Sequence, residues 1–543
     1  MANHASKPLD EGDAIRLLGG EESFEFYKAL VDLDTRNLED AKTGRVEKHN
    51  YPQACELIAR EARSQGFQAR IWDPVKDPDN VFPNHKGLNR PNVVVDYDVG
   101  ARDTILIVAH YDTVPVPEAQ LAKWKHPPLK CTFADGRFYG RGTCDDKGSG
   151  VWTSIEALKR LRDRRIKTAN VRLFATCDEE TGGSGGLGAL LAKDKLLRER
   201  GEQPFLHGDI AMLPDASPDV LAGSSGVVFA DVVVEQPTRL EPFLDLAEGV
   251  RQFHQTASGW KSALDSGDWP DGGAPDRKIT GRLTLTKLDW QRPAGTGDLA
   301  LTRVHAETES YNTIAEYVTV AYEATDAGRK LLDAAVASMP GELAKRVHMG
   351  EVTREGAAWK GTFRIQGQGG HGGYPHRFDN PVPHALQVLR HLGKYAAQEG
   401  SGAIGLDMRL PPEADPMQGF RQLEAHIASL RPRTVPGARF VQPDHGVRSG
   451  YYLPPDDPGV KLLKGAFEAV TKRPARVIGE YGGTDASFFN DVRTPKGAPM
   501  RALLFGAMDH EANIHSWNEN AKPENLAQTV EVLEWMVEHW KGL

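Results

Sequence analysis

The stretch "TILIVAHYDTVPV", residues 104–116, decides how the first half of the chain is read. An apolar run of strand length ends on His110 and Asp112, two positions apart. A strand that simply turned into a loop would more often close on Gly, Asn or Pro. Working outward, similar short apolar runs occur at "NVVVDYD" (92–98), "NVRLFATCDEE" (170–180) and "DIAMLPD" (209–215). Between them, "KGSGVWTSIEALKRLRDRR" (147–165) and "SGGLGALLAKDKLLRER" (184–200) have the apolar spacing of amphipathic helices. This alternation predicts an α/β fold, a mostly parallel sheet flanked by helices on both faces. In such sheets functional residues gather at the carboxyl ends of the strands.

Upstream, residues from about 20 to 65 read as helical in "SFEFYKALVDL" and "YPQACELIAREARSQGF". From about 224 to 440 the pattern breaks into a strand-rich, irregular region with a Gly/Pro/Asp-rich stretch, "LDSGDWPDGGAPDRK". Strand–helix alternation then resumes in "PGVKLLKGAFEAVTKR", "ARVIGEYGGTD", "RALLFGAM" and a closing helix, "NLAQTVEVLEWMVEHW". The expected division is one catalytic α/β domain made from residues 1–223 and 441–543, with 224–440 inserted as a second domain. A chain of 543 residues exceeds a single hydrophobic core, which agrees with two domains.

Bulk composition narrows the function. Apolar residues at 40% and charged residues at 26% suit a globular enzyme rather than a disordered chain. A net charge of −9, with no dense Lys/Arg tract, argues against nucleic acid as a partner. No apolar run approaches the roughly 20 residues that span a bilayer, and "MANHASKPLDEGDAIRLLGG" lacks a basic-then-apolar signal pattern. Cys55, Cys131, Cys144 and Cys177 are irregularly spaced and make no disulfide framework. A reduced, cytoplasmic setting without a membrane partner is the expectation.

Other strand ends repeat what His110 and Asp112 begin. "FYGRGTCDDKGSG" supplies Asp145 and Asp146, "FATCDEETGGSGG" supplies Asp178, Glu179 and Glu180, and "AMLPDASPD" supplies Asp215. "MDHEANIHSWNEN" adds His510 and His515, with Glu519 behind. Singly, each has an ordinary explanation: a local hydrogen bond, a solvated turn, or acids at a helix N-terminus. Together, converging carboxylates would repel one another and resist burial without a cation. Mixed imidazole and carboxylate ligands suit zinc, with manganese or cobalt sharing the preference. A paired site needs a carboxylate between its two ions. A competing reading is a dinucleotide fingerprint, Gly183-x-Gly185-x-x-Gly188 with Asp209 about 20 residues on. Asp178, Glu179 and Glu180 oppose it, since they put negative charge where phosphate would lie.

These motifs, in this order, resemble the di-zinc peptidase family of acetylornithine deacetylase, succinyl-diaminopimelate desuccinylase, carboxypeptidase G, aminoacylase and the cytosolic dipeptidases. "AHYDTVPV", "YGRGTCDDKG", "DEETGGSGG", "LPD", "GGTDAS" and "NIHSWNE" carry the resemblance. It implies that His110 and Asp215 bind one zinc, Glu180 and His515 the other, and Asp145 bridges them, with a cis peptide after Asp145. Asp145 is chosen over Asp146, and His515 over His510, by the family's spacing. The resemblance makes Glu179 the general base and Asp112 the support of a ligand histidine. "GQGGHGGYPHRFDNP" resembles the lid strand whose histidine, here His371, meets the substrate oxyanion. "IGLDMRLPPEAD" resembles the strand whose arginine, here Arg409, takes a substrate carboxylate, though an ordinary lid salt bridge is the alternative. Gly483 and Thr484 of "GGTDAS" would line the substrate pocket, with Asp485 beside them.

The implied activity is hydrolysis of an amide bond in a small peptide or an N-acyl amino acid. A deacylase rather than a peptidase, and a catalytically inactive binding protein, are the alternatives. The insert departs from the family's common pattern by something over a hundred added residues, from about 236 to 355. Most relatives pair their lids in a homodimer, whereas an enlarged α+β lid allows a monomer that closes its own site.

Overall fold

The computed structural model describes residues 9–37, 50–79, 81, 89–116, 118–266, 278–292, 297–306, 308, 312–373, 375–393, 399–430, 435–442 and 446–543. Most of the Gly/Pro/Asp-rich stretch, 267–277, lies outside the described residues, as do residues 1–8 of the N-terminal segment.

The strand Thr104–His110 is buried from Ile105 onward and sits in the middle of a nine-stranded sheet. Its neighbours Asn170–Thr176 and Ile210–Leu213 run parallel to it, and Ala502–Leu504 continues the parallel set. The reason is local. Thr104–His110 and Asn170–Thr176 are each followed by a helix, Thr153–Asp163 and Leu187–Glu199, that returns the chain to the same end of the sheet. The outer strands arrive without such crossovers. Gln68–Trp72 and Asn92–Tyr97 on one side, and Tyr451–Tyr452 on the other, pair antiparallel. The sheet therefore has a parallel centre and mostly antiparallel margins, with Val477–Glu480 adding one parallel pairing to Val220–Ser224.

Its faces are covered as the apolar spacing predicts. Tyr51–Ser64 buries Tyr51, Ala54, Cys55, Ile58, Ala59 and Ala62, one stripe of a helix. Pro458–Thr471 begins on Asp457, whose side chain accepts from the Gly459 N–H, with proline in the first turn where no donor is needed. Pro523–Glu538, the closing helix, is buried along most of its length. All four cysteines are unpaired.

A second nine-stranded sheet is built almost entirely from the insert and is antiparallel throughout its described pairings. At its centre the long strands Gly226–Arg239, Arg282–Gln291 and Glu399–Leu410 lie side by side. Helices Leu240–Ala257, Asp326–Ala337, Pro381–Gly393 and Pro416–Leu430 bury their apolar residues in a core separate from that of the first sheet.

The chain passes from the first sheet to the second between Ser224 and Gly226, and returns between Arg448 and Tyr451. The two crossings touch. A Cβ on Gly450 would lie 2.9 Å from the Gly226 nitrogen and 2.8 Å from the Ser224 carbonyl oxygen, so only glycine fits there. No helix among the described residues is long and apolar enough to cross a membrane.

Candidate functional site

At the carboxyl end of the parallel strands the sequence-predicted residues come together. The His110 Nε2 lies 3.2 Å from Asp145 Oδ1 and 3.7 Å from Asp215 Oδ1. His515 Nε2 lies 3.1 Å from the other Asp145 oxygen and 2.8 Å from Glu180 Oε2. Asp145 thus spans two imidazoles, with one further carboxylate beside each. His510 is exposed and stands outside this group. Asp146, the alternative to Asp145, is fully buried; it turns one oxygen to the His110 N–H and lies close enough to His110 and Asp215 to share an ion with them. The peptide between Asp145 and Asp146 is cis, as the resemblance implied.

The loops that carry these residues are held by other charges. Asp112 is wholly buried and accepts from the backbone N–H groups of both Glu179 and Glu180, each at 3.2 Å, and from Asn37 Nδ2. It therefore fixes the Glu179–Glu180 turn as well as His110, whose Nδ1 meets the Asp112 carbonyl at 3.0 Å. Asp178 begins that turn with a left-handed backbone, φ 62°, and pairs with buried Arg90 at 2.6 Å. Glu519, also wholly buried, accepts from Gly142, Cys144 and Asp145 N–H groups on one oxygen and from Arg141 on the other. Arg141 also donates to the Ser516 carbonyl, which ties the Asp145 loop to the His515 loop. Sequence reading noted Glu519 only as an acid behind His515 and missed Arg141, Asn37 and Arg90. The Gly-Arg-Gly context was the available signal for Arg141.

The dinucleotide alternative fails on geometry. Asp209 binds the Thr104 N–H at the start of the central strand, the opposite end of the sheet from the Gly183–Gly188 turn. Those glycines serve close packing instead. A Cβ on Gly186 would lie 2.2 Å from the Cys177 carbonyl oxygen.

Electrostatically the cluster suits a cation. Burial pushes the Glu180 carboxyl up to about 8 and that of Asp215 up to about 7, and lifts Glu179 and Asp146. Burial opposes charge on His110 and His515, yet their carboxylate neighbours hold both above the ordinary imidazole range. The cluster thus retains protons on the very atoms that a metal ion requires deprotonated, so binding a divalent ion would release them. Glu179 Oε1, Glu180 Oε1 and Asp146 Oδ1 are buried with no hydrogen-bond partner. Two imidazoles with Asp145, Glu180 and Asp215 are a donor set for zinc, cobalt or manganese.

The insert reaches over this cluster. His371 is buried and its ring stacks on His515 with centroids 5.0 Å apart. The Gly373 N–H donates to His371 Nδ1 at 2.9 Å, so the ring proton belongs on Nε2. Burial, with His515 and Arg409 nearby, keeps that imidazole neutral. Strand Thr313–Ile314, from the added segment, pairs with Gly370–His371 and supports the turn. Arg409 is 3% exposed and grips Asp407 through two hydrogen bonds of 2.7 and 2.8 Å, leaving Nη1 on the Tyr481 carbonyl. Gly483 faces Arg409, where a Cβ would lie 3.8 Å from Nη1, and Thr484 hydrogen-bonds Ser224. On the rim, Lys123 pairs with Glu316 of the insert and lies 4.6 Å from the Trp517 ring.

Residues 106–539 match the model of peptidase family M20/M25/M40, and the chain belongs to that family of metallohydrolases. Among curated relatives, acetylornithine deacetylase of Pasteurella multocida is 35% identical over 157 residues, 29% of this chain and 36% of the relative. Cysteinylglycine-S-conjugate dipeptidase of Corynebacterium striatum is 30% identical over 141 residues, 26% of this chain and 28% of the relative. The matches thus span only about a third of those relatives. Among solved structures, a dipeptidase of Saccharomyces cerevisiae aligns with a TM-score of 0.55 at 15% identity, covering 97% of this chain and 96% of that one. A family M20 metallo-carboxypeptidase of Sulfolobus solfataricus aligns at 0.54 and 16%, covering 95% and 99%. These likenesses establish the fold.

Proposed function

We propose that this chain hydrolyses an amide bond in a small peptide or an N-acyl amino acid, using metal ions held by His110, Asp145, Glu180, Asp215 and His515. The observation that carries the reading is Asp145, whose two oxygens face two histidines, each with a further carboxylate beside it. His110 with Asp215, and His515 with Glu180, would hold one ion each, zinc by donor chemistry and cobalt or manganese by the same set. When bound, such ions supply Lewis acidity to a carbonyl and acidify water.

The chain's own groups do the rest. Glu179 has a buried oxygen that accepts no hydrogen bond beside the cluster, suited to take a proton from water and return it to the leaving nitrogen. His371, neutral and protonated on Nε2, donates to the oxygen that gains charge as the carbonyl is attacked. Arg409, already oriented by Asp407, keeps Nη1 near Gly483 for a substrate carboxylate. The insert excludes water from the reacting atoms. Stacking of His371 on His515 within one chain supports a subunit that closes its own site.

A test joins metal analysis to turnover on a panel of dipeptides and N-acyl amino acids, before and after chelation. Glu179→Ala is expected to abolish turnover while leaving metal per chain nearly intact. Retained turnover would remove Glu179 from the role of base, and no turnover of any panel member by metal-loaded protein would remove the amidohydrolase reading.

A further inference from the structure

Arg448 stands next to the candidate base, and neither the motifs nor the metal chemistry accounts for it. It lies on the two-residue strand Val447–Arg448, directly opposite Val227 of the strand Gly226–Arg239. Arg409 lies opposite the same Val227 from the other flank. Residues directly opposite one another share a face of the sheet, so two guanidinium groups flank a single valine. They diverge from there. Arg409 is turned to Asp407 and the Tyr481 carbonyl. Arg448 reaches Asp485 Oδ1 at 3.2 Å with Nη2, and its Nη1 lies 3.8 Å from Glu179 Oε1.

That oxygen of Glu179 accepts no hydrogen bond. Among the described residues, Arg448 is the only lysine or arginine within 4.0 Å of the Glu179 carboxylate. Its own position is fixed on two sides. Buried Asp485 takes one end of the guanidinium, and the Phe488 ring lies 5.3 Å from its centre. Asp485 in turn needs Gly183, where a Cβ would come within 2.8 Å of Asp485 Oδ1. Arg448 also sits at the point where the chain leaves the second sheet for the first.

We propose that Arg448 is a positioning residue for Glu179: held by Asp485 and Phe488, it draws the carboxylate into one orientation. Because it rides on the return crossing of the insert, it makes the placement of the base depend on the placement of the lid. This rests on the reading of Glu179 as general base. A glutamate has three rotatable bonds and an active carboxylate must be aimed within a fraction of an ångström, so a fixed charge beside it changes rate rather than affinity.

The experiment uses the full, metal-loaded chain and compares Arg448→Met, Arg448→Lys, Asp485→Asn and Glu179→Gln. Turnover, KM, metal per chain and thermal midpoint are measured for each. Arg448→Met is expected to lower kcat by about 10- to 100-fold with KM within about threefold and metal content unchanged. Arg448→Lys, or guanidinium ion added to Arg448→Met, should recover part of the loss, and Asp485→Asn should move kcat in the same direction by less. A rise in KM at unchanged kcat would make Arg448 a substrate contact and overturn the proposal. So would a fall in kcat that follows metal content or thermal midpoint without rescue, which is a structural role only. Lost turnover in Glu179→Gln with unaltered Arg448→Met overturns this proposal alone, whereas retained turnover in Glu179→Gln overturns it together with the base.

Discussion

The two sheets of this molecule divide the work differently. In the first, His110, Glu180 and Asp215 follow parallel apolar strands whose ends meet in one place, and the loops carrying Asp145 and His515 join them there. In the second, antiparallel pairing sends successive strand ends to opposite edges; Arg409 reaches the site from within a long strand, and His371 from a separate two-stranded ladder beyond Ala358–Gln366. The first sheet concentrates acid and holds it with buried backbone donors and arginines; the second brings neutral or positive groups to meet it. Convergence by topology builds a candidate ion site, and convergence by register builds what covers it.

Four experiments test this contrast. Glu519→Ala removes the carboxylate that gathers three backbone donors and Arg141, and leaves that arginine buried and unpaired. A loss of about 3–5 kcal/mol in unfolding stability is expected, together with loss of metal, by urea titration and metal analysis. Undiminished stability would mean the first-sheet loops hold themselves. His371→Asn should leave stability and metal content alone while lowering kcat by about 10²–10³-fold, the cost of one oxyanion donor. If metal content falls as well, the cover is part of the ion site and the contrast collapses.

The third concerns acid placed away from the site. Burial lifts the Asp194 carboxyl to about 6, against the pull of the Phe205 and Leu206 N–H groups it accepts. A raised carboxyl favours the folded state when protonated, so its contribution is full below about pH 4 and lost as pH rises through about 6. The stability of Asp194→Asn relative to the native chain should therefore improve between pH 4 and 6, read from urea midpoints, and a flat difference would place Asp194 in a solvated setting. Smallest is Thr325→Ala in the second unit, which deletes the cap accepting the Gly328 N–H. About 1 kcal/mol of stability should go, with turnover unchanged.

Legibility followed the same contrast. His110, Asp145, Glu180 and Asp215 were readable because each closes an apolar run or a Gly-rich turn beside one, and the likeness to a known family ordered them. The parallel centre of the sheet was readable from strand–helix alternation, while its antiparallel margins were not, since short strands without crossover helices carry no direction in their pattern. Arg448 had no such marker. Its partner Glu179 lies far away in sequence, and only the pairing of Val447–Arg448 with Gly226–Arg239 brings them near. Asn37 and Arg90 were hidden for the same reason, each meeting its acid across the fold rather than along the chain. For Arg409 the sequence allows two roles, and the structure has the internal pair with Asp407 while Nη1 donates to the Tyr481 carbonyl near Gly483.

The abutting glycines at the two crossings have a further consequence. Gly226 and Gly450 stand back to back, so everything between them leaves and re-enters the first sheet through a single doorway. A loop whose ends already meet adds little closure entropy as it lengthens, because that cost grows only with the logarithm of its length. Lengthening the insert at this junction therefore adds little entropic cost to closing it. An insert of another length can thus be joined to the first sheet without moving the two chain ends that meet at Gly226 and Gly450.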